Sequence, residues 1–186
     1  MDKLEQARDP NTPVAVLATL ATDRDYNIRY AVARNPNTPV ASLEALARDQ
    51  HSAVRNAVAW NPNSSVSLLE TLSGDKNAAI RQAVAGNPNA PVPLLETLPG
   101  DESWYVRAAV ADNPNTPVAV LEVLARDQDW NVRRAVAGGT QALRQNVYAL
   151  HVGGGGVVLI CARKQQRRWL LARLRSYPRP ALFSRW

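Results

Sequence analysis

One turn recurs five times along this chain at a constant distance. It reads Asp9-Pro10-Asn11-Thr12-Pro13, then Asn35-Pro36-Asn37-Thr38-Pro39, Asn61-Pro62-Asn63-Ser64-Ser65, Asn87-Pro88-Asn89-Ala90-Pro91 and Asn113-Pro114-Asn115-Thr116-Pro117. The prolines at 10, 36, 62, 88 and 114 are 26 residues apart, with no insertion. A fixed period of this length marks a stacked array, because one such unit cannot bury its apolar face alone and must lean on its neighbours. An array of this kind points to binding or scaffolding rather than to a chemistry.

The copies align with one another, so each column has a physical reading. Thr12, Thr38, Ser64 and Thr116 stand just before Pro or Ser. A hydroxyl at N-cap followed by proline at N1 predicts a helix start, and Ala90 should cap more weakly by about 1 kcal/mol. The helix that follows carries Val14, Leu17 and Leu20, repeated through Val118, Leu121 and Leu124, as one apolar stripe. A second helix is expected after Asp25, His51, Asn77, Ser103 and Asp129, nearly all of them N-cap types. Its core columns are Ile28, Val54, Ile80, Val106 and Val132, then the pairs Ala31/Val32, Ala57/Val58, Ala83/Val84, Ala109/Val110 and Ala135/Val136. The unvarying alanines imply close helix approach. Asparagine at 35, 61, 87 and 113 suits a left-handed helix end, and the proline after it forbids continuation. The Asn11, Asn37, Asn63, Asn89 and Asn115 column reads as turn chemistry.

Written as Val-Arg-x-Ala-Val-Ala-x-Asn-Pro-Asn-Thr-Pro-Val-x-x-Leu-x-x-Leu, the unit resembles the leucine-rich repeat variant family over residues 10–139. The resemblance implies an all-α, right-handed solenoid of two short helices, α and 3-10, per 26-residue repeat. It implies no common enzymatic activity. An iron–sulfur module can accompany such repeats, but Cys161, the single cysteine, cannot supply four thiolates, so no cofactor and no metal site are expected.

Residues 1–139 are therefore assigned to the solenoid, as a partial repeat 1–9 and five repeats over 10–139. Ala7 and Arg8 fall in the columns of Ala33 and Arg34. This span holds 13 Lys+Arg against all 16 Asp+Glu, a net of −3, whereas residues 140–186 hold 9 Lys+Arg and no acid. The tail begins where Gly138-Gly139-Thr140-Gln141 replaces the expected turn, and it includes the glycine run 153–156. Two readings of it stay open. It is a poorly structured or frame-changed segment, or it is a basic arm for anionic partners through Arg163, Lys164, Arg167, Arg168, Arg173 and Arg175. At most one basic helix, near 163–175, is expected there. The N-terminal Met1-Asp2-Lys3-Leu4-Glu5 lacks the pattern of a secretory signal, and a single cysteine fits a reducing setting, so a cytoplasmic location is expected.

Recognition should lie in columns that vary between units. One gives the acidic stripe Glu44, Glu70, Glu96 and Glu122, against the alternative of a solvated helix face. Another brings Trp104 and Trp130 to equivalent positions in adjacent units, with Tyr105 beside the first; exposed aromatics of this kind are typical binding anchors, unless they seal the seam between units. The column Arg29, Arg55, Arg81, Arg107 and Arg133 can track phosphates, but an equal column of aspartates at 23, 49, 75, 101 and 127 favours a ladder of ion pairs. His51 and His151 have no partners that suggest a triad, and no phosphate-binding loop is present, so no catalytic residue and no small-molecule site are expected. The chain reads as a non-enzymatic protein–protein interaction or scaffolding solenoid, with nucleic-acid or acidic-membrane binding through the tail as the alternative.

Overall fold

The computed structural model describes residues 2–139 and, beyond them, the backbone of two strands at 147–152 and 156–161. The chain divides into two units, 1–139 and 140–186, each taken here by itself.

The first unit is helical throughout. Its elements are α1 (Lys3–Arg8), α2 (Val14–Leu20), α3 (Tyr26–Arg34), α4 (Val40–Leu46), α5 (Ser52–Trp60), α6 (Val66–Ser73), α7 (Ala78–Gly86), α8 (Val92–Thr97), α9 (Trp104–Asp112), α10 (Val118–Leu124) and α11 (Trp130–Gly139). The helices α1, α3, α5, α7, α9 and α11 pack side by side in order, and each shorter even-numbered helix leans against them. Because α1 stands in the same layer as α3, residues 3–8 are the back half of a unit, as their columns indicate. The second-helix caps form as expected: Asp25, Asn77 and Asp129 accept from the backbone N–H two residues on, and His51 does so through Nδ1. Ser103 makes no side-chain cap.

The 3-10 character of the shorter helices is confined. They are α-helices of six to eight residues, entered by i→i+3 bonds such as Val16 N–H to Pro13 O, 2.9 Å, and Ser42 N–H to Pro39 O, 2.9 Å. A separate 3-10 turn occurs at Leu98–Gly100. The buried stripe is also rotated from the expected one. Val14, Val40, Val66 and Val92 are 43–54% exposed, while the leucines at 17, 20, 43, 46, 69, 72 and 95 are buried together with Leu68 and Leu94. Positions i, i+3 and i+6 step backwards round a helix by about 60° each time, so the first of them lies at the edge of the stripe.

The hydroxyl column does not cap its own helix. Thr12, Thr38, Ser64 and Thr116 are buried. Their hydroxyls donate backwards, to the carbonyls of Gln6, Val32, Val58 and Val110 at 2.5–2.6 Å. The last turn of a helix leaves carbonyls without intrahelical partners, and this column supplies them. The N-cap position falls one residue later, at Pro13, Pro39, Ser65, Pro91 and Pro117.

The asparagines at 35, 61, 87 and 113 are extended, not left-handed, with φ near −70° and ψ of 126–131°. Proline at the next position drives this, since it disfavours the helical region for the residue before it. The side chains do the work instead. Asn61 Nδ2 donates to Ala33 O at 2.7 Å and Asn35 O at 2.9 Å in the preceding unit, and its Oδ1 accepts from Asn63 N–H at 2.8 Å. Asn35, Asn87 and Asn113 repeat this arrangement. The next asparagine forms a second rung: the amides of Asn37, Asn63, Asn89 and Asn115 donate to the carbonyls of Pro10, Pro36, Pro62 and Pro88. That column is therefore inter-unit cement as well as turn chemistry.

In the second unit, strands β1 (Val147–Val152) and β2 (Gly156–Cys161) pair antiparallel, from Val147 opposite Cys161 to Val152 opposite Gly156. The sequence reading placed at most one helix in the tail and missed this pair. The β-branched residues Val147, Val152, Val157, Val158 and Ile160 favour strand. The segment 163–175 lies outside the described residues.

Candidate functional site

The arginine column is committed to the fold. Arg29 grips Asp49 of the next unit through Nε at 2.6 Å and a second guanidinium nitrogen at 3.0 Å, and gives its remaining nitrogen to the carbonyls of Asp23 and Arg24. Arg55–Asp75, Arg81–Asp101 and Arg107–Asp127 repeat the forked pair. Lys3, in the same column, reaches Asp23 at 2.7 Å. The Arg55 and Arg107 hydrogen bonds hold Asp75 and Asp127 below the ordinary carboxylate range. For Asp49 and Asp101 burial is the largest influence and acts upwards, but the arginine fork and a turn N–H together prevail and the net direction is down. Nothing of these four arginines is left to follow a phosphate chain. In Arg133 only the nitrogen bonded to Asp127 O and Gln128 O has a partner among the described residues.

A cluster of aromatic, charged and small side chains lies along α7, α9 and α11. Tyr105, Ala108, Ala109 and Asp112 follow i, i+3, i+4, i+7 spacing, so they share one face of α9. Asn131, Arg134, Ala135 and Gly138 are their counterparts on α11. With Trp60, Gln82 and Gly86 they line a groove of about 750 Å3, which Trp104 also borders. Ala108, Ala109, Ala135, Gly86 and Gly138 lie between the larger side chains of this lining and leave space among them.

One row of the groove changes completely from unit to unit. The last residue of α5 is Trp60, of α7 Gly86 and of α9 Asp112. The Trp60 ring lies directly over Gly86, where a Cβ would come within 2.7 Å of the Trp60 ring carbon Cη2. Glycine at this position thus seats the ring. Asp112, next in the row, makes no hydrogen bond or ion pair among the described residues, and burial pushes its carboxyl above the usual range, opposed by Arg134. The guanidinium of Arg134 stands 4.9 Å from the centre of the Trp130 ring.

The residues picked out in the sequence divide three ways. Trp104 and Tyr105 border the groove; their rings stack at 3.9 Å, with Trp104 partly buried against the core and Tyr105 51% exposed. Trp104 also lines a second cleft, together with Gln128 and Asp129 of the next unit. Tyr26, its counterpart near the other end, stacks on His51 of the next unit at 4.1 Å. Trp130 is 56% exposed and lies outside the groove lining. Glu44, Glu70, Glu96 and Glu122 are exposed on α4, α6, α8 and α10, in the other helix layer, and the structure does not bring them to the aromatic residues. Arg163, Lys164, Arg167, Arg168, Arg173 and Arg175 lie outside the described residues. Sequence reasoning missed Trp60, Gly86 and Asp112. Their column, Arg34, Trp60, Gly86, Asp112 and Gly138, is among the most variable in the array, and that variability was the available signal.

A family model of the leucine-rich repeat variant domain matches residues 27–88, and a leucine-rich repeat variant model matches residues 104–129. A solved structure described as a leucine-rich repeat variant with a novel repetitive protein structural motif is similar, with TM-score 0.56 and 28% identity. The match covers 70% of this chain and 52% of that one, so this chain spans about half the length of the solved protein. No curated protein matches.

Proposed function

The repeats of this chain belong to the leucine-rich repeat variant family and form a helical solenoid, and we propose that the array is a non-enzymatic protein-binding module that holds its partner across the α7–α9–α11 face. The observation that supports this reading is the groove itself. Trp60 and Tyr105 each stand 51% exposed in a lining that also holds alanine and glycine. Tryptophan and tyrosine are the residues that most often dominate binding at protein interfaces. Small residues between them leave room for a partner's side chains. The repeated rungs of arginine, aspartate and asparagine tie each unit to the next, which reduces the ordering needed when a partner arrives. No helix among the described residues is long and apolar enough to cross a membrane, and we place the module in the cytoplasm.

Selection of peptides against the full chain tests the proposal. Trp60→Ala and Tyr105→Ala remove half-exposed rings and should leave the melting curve nearly unchanged. Peptides selected on the wild type should lose more than tenfold in affinity for either variant. Binders indifferent to both variants would refute the groove as the binding face.

The charge of the tail supports a second reading, in which 9 Lys+Arg without an acid engage nucleic acid or acidic lipid. A steep salt dependence that disappears on deletion of 140–186 would favour it over the groove.

A further inference from the structure

Among the described residues, Asp112 is the one carboxylate in the lining of the groove. Every buried side-chain nitrogen and oxygen among the described residues has a hydrogen-bond partner. The column aspartates are each gripped by a cation. Asp112 instead ends α9 exposed at the groove, with no hydrogen-bond or ion-pair partner among the described residues. Arg134, whose charge acts on it, also lines the groove but forms no ion pair with it and stands over the Trp130 ring. One row back, the Trp60 ring is seated on Gly86, half exposed and without a cation on its face. Aromatic rings attract cations through the negative potential of their faces, tryptophan most strongly, and the attraction grows as water is excluded. Asp112, which lines the same groove as the Trp60 ring, supplies the opposite charge.

We propose that the groove receives a lysine or arginine side chain from a partner protein, with its charge between Trp60 and Asp112 and its aliphatic stem over Ala108 and Ala109. This rests on the reading of the groove as the binding face and names the chemistry of what it binds. Tyr105 lies seven residues from Asp112 on the same helix, about 10.5 Å away. An extended peptide advances about 3.3 Å per residue and shows alternate side chains to one side. Residues two and four positions from the basic one, about 6.6 and 13 Å along, bracket that distance on the same side of the peptide, so one or the other can reach Tyr105. The preferred partner segment is extended, with a basic residue and an apolar one at that spacing. Within residues 1–139 the net charge of −3 favours the approach of such a segment, and the +9 of residues 140–186 opposes it.

The test uses synthetic peptides in an alanine–serine host with a leucine at the spacing above and a single variable position occupied by Arg, Lys, Gln or Glu. Affinities for the full chain are read from Trp fluorescence and calorimetry. The Arg and Lys peptides should bind about tenfold more tightly than the Gln peptide, and the Glu peptide more weakly still. In Asp112→Asn the preference for Arg and Lys over Gln should shrink to less than about twofold, while Trp60→Ala should weaken the Arg peptide more than the Gln peptide. Equal binding of Arg and Gln peptides that still depends on Tyr105 overturns this inference and leaves the binding face standing. A preference for Arg that survives in Asp112→Asn also overturns it. Absence of groove-dependent binding by any of the peptides overturns both.

Discussion

Replacing Asn61 with alanine isolates what the buried asparagine column contributes. Three hydrogen bonds disappear: Nδ2 to Ala33 O, Nδ2 to Asn35 O, and Asn63 N–H to Oδ1. Their losses are unequal. Asn35 O keeps the Thr38 N–H at 3.1 Å, and Asn63 is exposed, so water replaces its partner. Ala33 O has no such recourse. The residue three on is Pro36, which has no N–H, and the N–H of Asn37 is turned to Asn35 Oδ1. Ala33 is fully buried. A stranded buried carbonyl costs about 1–3 kcal/mol, and the two replaceable bonds add about 1 kcal/mol between them. The expected loss is about 3 kcal/mol, read from urea unfolding followed by far-UV circular dichroism. Asn63→Ala, which removes one exposed rung to Pro36 O, should cost no more than about 1 kcal/mol. Asn61→Asp sharpens the test. It keeps the shape and the acceptor for Asn63 N–H, but points a carboxylate at two carbonyl oxygens. The folded-state pKa of that carboxyl must rise above its unfolded value of about 3.9. The protonated acid has one O–H for the two carbonyls that the Asn61 amide serves, so the penalty relative to wild type is smallest below pH 4 and grows as pH rises to the folded-state value. Equal losses for Asn61→Ala and Asn63→Ala, or a pH-independent penalty for Asn61→Asp, would refute the argument.

The array should be acid-sensitive: Asp49, Asp75, Asp101 and Asp127 are depressed in the folded state, so their contribution is fully present above the unfolded value near 4 and lost as pH falls through the lower folded values. Thermal melts from pH 7 to pH 2 that stay flat would contradict the ladder. Ala90 is buried where four other units place a hydroxyl, so Ala90→Thr should supply a donor to Val84 O and raise stability by about 1 kcal/mol in urea; a loss would show that the site has no room for it. Leu17 and Leu69 are both completely buried, and each change to alanine should cost about 2–5 kcal/mol; a much smaller loss at Leu17 would mean that α1 does not cover it in solution.

What could be read in the sequence depended on repetition. Five copies supply an internal alignment, and columns that never change, such as Val32, Val58, Val84 and Val110, announce the core. The ion-pair ladder was legible for the same reason, because aspartate and arginine recur in equal number. Misreadings arose where one residue type has two uses. Threonine before proline signals an N-cap, yet here the preceding helix needs the hydroxyl more. Asparagine at a helix end signals a left-handed residue, yet the following proline overrides it and frees the amide to bond across units. The groove was hardest to see, since it exists only where Trp60, Gly86 and Asp112 meet across three units. A repeat consensus averages away the differences that build it.

Every rung of the asparagine and arginine ladders joins a residue to its counterpart's neighbourhood one period away, and none skips a unit. Excision of one whole period, such as 36–61, would therefore return each donor to an acceptor of the same kind, while loss of 25 or 27 residues would leave every rung on that seam mismatched. Gene-level duplication and loss in steps of 78 nucleotides is the natural way for such a chain to change length. Each step keeps the stack sound but shifts which three end residues stand together. A change in length is thus also a change in which side chains stand together on the surface.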